Sequence, residues 1–195
     1  MKIQSPPGAT PLDDETLQGL IPGLTTQGEL DEFEAAGIAR ALLWVFSSRT
    51  LKRDLLSVSG LCLLHKKMFE ETWKWAGTFR LRQTNIGVAP AIIQNELAVL
   101  LGDVKYWLQH QTFSLDEIAA RFHHRLVWIH PFPNGNGRFS RMAADLLVEY
   151  HKGVRFSWGQ TDLARMGDKR DTYIQALRRA DQHQDYEYLM KFMKS

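Results

Sequence analysis

The 195-residue chain is long enough for one domain with its own core and short for two. Its 24 basic and 22 acidic residues leave a net charge of +2, too even a balance to argue for nucleic acid or an anionic membrane as partner. The single cysteine, Cys62, excludes an internal disulfide and fits a small buried hydrophobe in a reducing cytosol. The start of the chain lacks an apolar signal core. No run reaches the roughly eighteen apolar residues of a membrane span, so a cytoplasmic location is expected.

Residues 1–24 read as an N-terminal arm, rich in proline up to Pro11. A short helix is expected from Asp13 to Leu20, broken by Ile21-Pro22-Gly23. The first long helix is predicted from Thr25 to Ser48. Leu30, Phe33, Ile38, Ala41, Leu42 and Val45 recur near helical spacing, and Thr26 with Glu29 reads as a capping box. Ser57 caps the next helix, which runs to Phe69 with Leu61, Leu64, His65 and Met68 on one face. His65 is read as a core-edge residue. Trp73 and Trp75 read as core anchors of a packed turn.

Residues 79–93 have poor helical periodicity. Phe79, Leu81, Ile86 and Val88 suit a two-stranded ribbon around Gln83-Thr84-Asn85. Helices follow over Asn95–His110 and over 115–129, the second capped by Ser114 with Glu117. His123 and His124 diverge by about 100° on that helix and cannot chelate one metal together. A further helix is expected from Gly137 or Arg138 to Lys152, ended by Gly153. Phe156 and Trp158 read as packing residues. Two closing helices are expected over Asp168–Ala180 and Asp185–Lys194. Short connections and the absence of repeats argue for a mainly α, single-domain helical bundle over 25–195 with a short β-hairpin.

One stretch concentrates the chemistry, His130-Pro131-Phe132-Pro133-Asn134-Gly135-Asn136-Gly137-Arg138-Phe139-Ser140-Arg141. It lies between two predicted helices. Gly135 and Gly137 can take left-handed backbone angles, and such a turn aims successive N–H groups into a nest for an anion. The helix that follows adds its own unpaired N–H groups. Arg138 and Arg141, three apart, supply two fork-shaped donors suited to a di- or triphosphate. His130 stands at the other end of the loop as a candidate proton acceptor. Phe132 is expected to plug the core and anchor the loop.

The stretch resembles the Fic family signature: His, any, Phe, any, acidic, Gly, Asn, Gly, Arg, two of any, Arg. Every fixed position matches except the acidic one, which holds Asn134. Trp73-Lys74-Trp75-Ala76-Gly77-Thr78-Phe79-Arg80 also looks Fic-like. Leu20-Ile21-Pro22, Thr25-Thr26-Gln27-Gly28-Glu29-Leu30 and Asn85-Ile86-Gly87-Val88 resemble the subgroup called mobile mystery protein B.

The resemblance implies a protein adenylyltransferase moving AMP from ATP to a Ser, Thr or Tyr hydroxyl of a target protein. It gives His130 the role of base. Asn134, Gly135, Asn136, Gly137, Arg138 and Arg141 would hold the nucleotide. The ribbon at 79–93 becomes a flap whose Thr84, Asn85, Ile86, Gly87 and Val88 dock the target by strand addition. The family acid binds Mg²⁺, and Asn134 offers only a neutral oxygen there, so weaker metal binding and slower turnover are expected. Some relatives carry an inhibitory helix of Ser or Thr, three of any, Glu, then Gly or Asn. Thr25 to Glu29 resembles it, with Leu30 in the last place. Glu29 is therefore either a plain cap or an inhibitor that competes with phosphate for Arg141. The subgroup implies a helix-turn-helix partner protein. The alternatives are a catalytically weak binding module in a toxin–antitoxin-like pair, or transfer of UMP, phosphocholine or a phosphoryl group.

Overall fold

The computed structural model describes residues 12–160 and 167–195. Residues 1–11 of the expected arm lie outside them. The described residues form nine helices: α1 Asp14–Gln18, α2 Gln27–Ser47, α3 Arg49–Asp54, α4 Val58–Phe69, α5 Ile93–His110, α6 Leu115–Ile129, α7 Asn136–Tyr150, α8 Gly167–His183 and α9 Glu187–Met193.

Local chemistry accounts for most of their starts. The side chains of Asp13, Thr26, Ser48, Ser57 and Ser114 each accept a hydrogen bond from a backbone N–H in the first turn of the following helix. The expected capping box of Thr26 and Glu29 is formed. Helix α3 went unforeseen, because Ser48 both ends α2 and caps α3 without a loop between them.

The core sits around α6 and α7, which pack along one another and are joined by the loop at 130–135. Helix α5 lies against α6, and α4 reaches α7 and α2. Phe122, Leu126 and Ile129 of α6 meet Phe139, Ala143, Leu146 and Leu147 of α7 in one buried cluster with Phe132. Each fully buried side chain of this size contributes about 1.5–3 kcal/mol. The cost of placing a loop here is thereby met by apolar burial on both sides of it. No helix of the described residues is long and apolar enough to cross a membrane.

The expected β-hairpin is not formed among the described residues. Their one recorded bridge joins Leu20 to Trp73 and pins the start of the described chain beside α4. Residues 79–89 instead run as irregular backbone. The physical reason lies in their carbonyl groups, which side chains have taken. Arg80 donates to the carbonyls of Arg82 and Val88. Gln83 Nε2 donates to Gly87 O at 3.0 Å, and Thr84 Oγ1 donates to Ile86 O. These local side-chain bonds hold the segment in its irregular course in place of a cross-strand ladder.

Candidate functional site

Helix α6 ends by delivering His130 in the left-handed conformation, with φ 53° and ψ 61°. Its N–H still donates to Leu126 O at 3.0 Å, so the residue closes the helix while its carbonyl turns away. The ring Nδ1 lies 3.2 Å from Val127 O. Only a protonated Nδ1 can bond a carbonyl, so the lone pair is on Nε2. The imidazole is 7% exposed. Burial pushes its pKa down to about 4, helped by the Arg80 charge and opposed by the Val127 bond. At neutral pH the ring is an uncharged acceptor.

The loop beyond it is built from the core outward. Phe132 is fully buried and stacks on His65 with ring centres 3.7 Å apart. His65 brackets the loop: its Nδ1 accepts from the Gly77 N–H at 3.0 Å, which leaves Nε2–H to donate to Asn134 O at 3.1 Å. Burial holds that ring neutral, with a pKa of about 3. His65, read as a core-edge residue, is therefore a buried strut of the loop. A histidine on the apolar face of a helix must find polar partners, and that was the signal.

Gly135 takes φ 77° and stands immediately before α7. A Cβ there would lie 2.7 and 2.8 Å from the Phe69 ring. Gly137 carries no positive φ; it lies in the first turn of α7, where an added Cβ would meet only the Arg141 guanidinium at 3.9 Å. The turn thus needs one left-handed glycine, not two. Asn136 is 2% exposed, and its side chain is occupied by the loop itself. Its Oδ1 accepts from Phe132 N at 2.9 Å and its Nδ2 donates to Phe132 O at 2.8 Å. Asn134 Oδ1 accepts from the Gly135 N–H.

Arg138 and Arg141 both stand in the first two turns of α7. Arg138 Nη1 donates to Glu34 Oε2 at 2.7 Å, and its guanidinium lies over Phe69 at 5.2 Å. Glu34, 3% exposed, accepts with its other oxygen from Trp73 Nε1 at 2.7 Å. Sequence reasoning passed over Glu34, although Leu30, Glu34, Gly37, Ala41 and Val45 share the buried face of α2. An acid within an apolar stripe requires a cation or donors. Glu29 caps its own helix, accepting from Thr25 N at 2.7 Å and Thr26 N at 3.0 Å.

These parts meet in one cavity of 1080 Å³. Its wall includes His130, Asn134 to Arg138 and Arg141, together with Glu34 of α2 and Asn85 to Val88 of the flap segment. Thr84 and Glu29 do not line it. Helix α8 closes another side with Arg170, Tyr173 and Arg178. The cavity therefore joins a neutral base, a helix N-terminus and two guanidinium groups, which suits a polyphosphate substrate. For magnesium, position 134 offers only a neutral amide oxygen, which already accepts a backbone N–H.

The Fic/DOC family model matches residues 55–148. Protein adenylyltransferase Fic of Culex quinquefasciatus is 29% identical over 119 residues, covering 59% of this chain and 24% of that protein. The protein of that name in Drosophila mojavensis is 32% identical over 123 residues, covering 59% of this chain and 24% of that protein. Protein adenylyltransferase fic-1 of Caenorhabditis elegans is 28% identical over 134 residues, covering 66% of this chain and 26% of that protein. The chain spans about a quarter of the length of these curated relatives. Among solved structures, a segment of Fic-1 from C. elegans has a TM-score of 0.67 at 23% identity, over 91% of this chain and 51% of that one. BepC of Bartonella tribocorum with bound AMPPNP has a TM-score of 0.67 at 18% identity, over 93% and 96%. The structural likenesses speak for a shared, mainly α-helical fold. The matched segment, 55–148, holds the loop and most of the helices that carry it, and over that segment this chain is similar to the Fic/DOC family.

Proposed function

We propose that this chain transfers AMP from ATP to a Ser, Thr or Tyr hydroxyl of another protein. The observation that carries the reading is the shared cavity, in which a neutral His130 faces the same space as the N-terminal turn of α7. His130 Nε2 takes the proton of the acceptor hydroxyl as its oxygen attacks the α-phosphorus. A new P–O bond forms on the acceptor, the bond to the bridging oxygen breaks, and pyrophosphate leaves. Backbone N–H groups at the start of α7 receive the charge that builds on phosphate oxygens. Asn136 contributes through its backbone alone, since its side chain holds Phe132. Arg138 and Arg141 orient the β- and γ-phosphates and so decide which phosphorus meets the base. Asn85 to Val88 present the acceptor. Relatives named protein adenylyltransferase and a relative solved with AMPPNP support this reading. The subgroup resemblance adds a helix-turn-helix partner protein.

The test uses ATP labelled at the α- or the γ-phosphate, with magnesium and cell lysate. Label on protein from the α position alone is expected. Label from the γ position alone would replace AMP transfer by phosphoryl transfer.

A second reading, a weak module that binds more than it turns over, is favoured by Asn134. A carboxylate at this position adds a charged oxygen for Mg²⁺. Asn134→Asp is expected to raise AMP transfer about tenfold or more and to lower the Mg²⁺ concentration for half-maximal rate. A negligible native rate that Asn134→Asp restores would make the native chain the weak module.

The α2 carboxylate that we assign to restraint of the clamp is Glu34. A carboxylate on Arg138 competes with phosphate for the same fork. Glu34→Gln keeps one acceptor, for Trp73, and turns an NH2 donor towards Arg138, so the ion pair is lost and ATP is expected to bind about tenfold tighter. Glu29→Gln is expected to leave ATP affinity unchanged and to weaken the cap only slightly, because glutamine also closes a capping box. Titration calorimetry with a non-hydrolysable ATP analogue checks both. Tighter binding from Glu29→Gln would return the restraint to Glu29.

A further inference from the structure

Arg80 is a buried cation that the reaction described above does not use. It is 4% exposed. Its hydrogen bonds among the described residues all end on carbonyl oxygens. Nε donates to His130 O at 2.7 Å and Nη1 to Arg82 O at 2.8 Å. Nη2 donates to Val88 O and reaches Ile129 O at 3.4 Å. A guanidinium is rarely buried without a carboxylate, because desolvating the charge is costly. Four carbonyl dipoles take the place of that carboxylate.

The carbonyls it gathers come from two places. Ile129 and His130 belong to the exit of α6, Arg82 and Val88 to the two ends of the flap segment. The backbone repeats the pattern, since Arg80 N–H donates to Pro131 O at 2.9 Å and Val88 N–H to Ile129 O at 3.3 Å. Three consecutive carbonyls, those of Ile129, His130 and Pro131, thus receive donors from residues 80–88. Gly87, at φ 111°, closes the contact: a Cβ there would lie 2.7 Å from the Cβ of His130 and 2.6 Å from Arg80 Nη2. His130 itself occupies left-handed angles that strain a non-glycine residue. Such a conformation persists only where its surroundings enforce it.

We propose that Arg80 is a positioning residue, whose guanidinium locks the His130 backbone and the segment 82–88 into one unit and so fixes the base relative to the hydroxyl that this segment presents. The assignment rests on the reading of His130 as base and of 82–88 as the acceptor-docking segment. Arg80 touches neither the nucleotide loop's N–H groups nor the two clamp arginines in any hydrogen bond described here, so it acts on acceptor geometry and not on ATP.

The test uses the full chain with Arg80→Lys and, from the other side of the same contact, Gly87→Ala. The probes are a fluorescent ATP analogue for affinity, α-labelled ATP with lysate protein for transfer, and amide hydrogen exchange across 82–88. Both variants are expected to bind the analogue within twofold of wild type. Both are expected to lose about a hundredfold of label transfer, the scale of a misplacement of about 1 Å. Exchange at 84–88 should rise tenfold or more. In wild type, the Arg80 Nε–H should exchange at least a hundredfold slower than a solvent-exposed guanidinium. Unchanged transfer in a folded variant would overturn the proposal. So would unchanged exchange at 84–88, or an affinity for the analogue that falls in step with transfer. Where both variants fail to fold, the wild-type Nε–H decides, and solvent-rate exchange there overturns the clamp. Wild type that transfers no AMP would instead defeat the proposed function, while the exchange measurements still judge the clamp.

Discussion

Alanine in place of His130 is expected to lower label transfer from α-labelled ATP to protein by about 10²- to 10⁴-fold. Under the proposed function, affinity for ATP should change little, because the imidazole would meet the acceptor and the phosphate contacts would come from α7 and the turn before it. A loss of affinity equal to the loss of transfer would place the histidine among the phosphate ligands and remove it as base. The pH dependence follows from the same ring. A base must be neutral to work, and burial holds the His130 pKa at about 4. Transfer should therefore stay level from pH 8 down to about pH 5. Below about pH 4 it should fall tenfold per unit, far beneath the range of an ordinary histidine.

Stability moves in the same direction and must be measured beside it. His65 and His123 are buried and neutral, each with a pKa of about 3 lowered first by burial. The unfolded chain binds protons on both below about pH 6.5, while the folded chain does not. Their contribution to stability is full above pH 6.5 and is lost progressively as the pH falls towards 3. Thermal unfolding followed by circular dichroism should show Tm falling from pH 7 to pH 5. The activity profile is read only where Tm stays above the assay temperature. A transfer rate that drops near pH 6.5 with Tm still high would show a solvated, ordinary histidine and contradict the burial on which the base assignment stands.

Gly135→Ala is expected to be the most damaging single methyl group in the loop. Two costs add. The left-handed φ of 77° costs alanine about 1–2 kcal/mol, and the new Cβ would stand 2.7 Å from the ring of Phe69. Phe69 is 1% exposed and cannot swing out, so overpacking adds about 1–3 kcal/mol. For a chain of this size the sum lowers Tm by on the order of 10 °C. The methyl group also tilts the N–H groups that open α7, so ATP affinity should fall tenfold or more even at temperatures where the variant stays folded. Gly137→Ala serves as the control. It sits in helical backbone with space around it, and it should stabilise by up to about 1 kcal/mol with affinity unchanged. Equal effects from the two substitutions would mean that the phosphate nest involves both glycines.

Much of this molecule is legible one residue at a time. Thr26, Ser57 and Ser114 start helices because a hydroxyl beside an orphan N–H is a local bond, made within three residues. The apolar stripes of α5, α6 and α7 announce which faces are buried. The loop signature carries its own chemistry in twelve consecutive residues, which is why a family resemblance and a candidate base are readable before any fold is known. The missed contacts share one property, partners that are distant in the chain. Glu34 meets Arg138 across 104 positions and Arg80 meets His130 across 50, and no periodicity reports such pairs. The hairpin expected at 79–93 failed for a local reason. Leu81 is exposed and departs from the alternation of Phe79, Leu81, Ile86 and Val88, and the side chains of Arg80, Gln83 and Thr84 donate to carbonyls within the same segment.

By itself the chain determined most of its helices, their caps and the order of groups in the loop, since each rests on bonds between near neighbours or on the burial period of a single helix. Only the tertiary structure decided which carboxylate meets Arg138, that Asn136 spends its side chain on Phe132, that His65 braces the loop and that Arg80 ties residues 82–88 to the His130 backbone. Those outcomes depend on which buried polar groups find one another once water is excluded, and that pairing is set by packing.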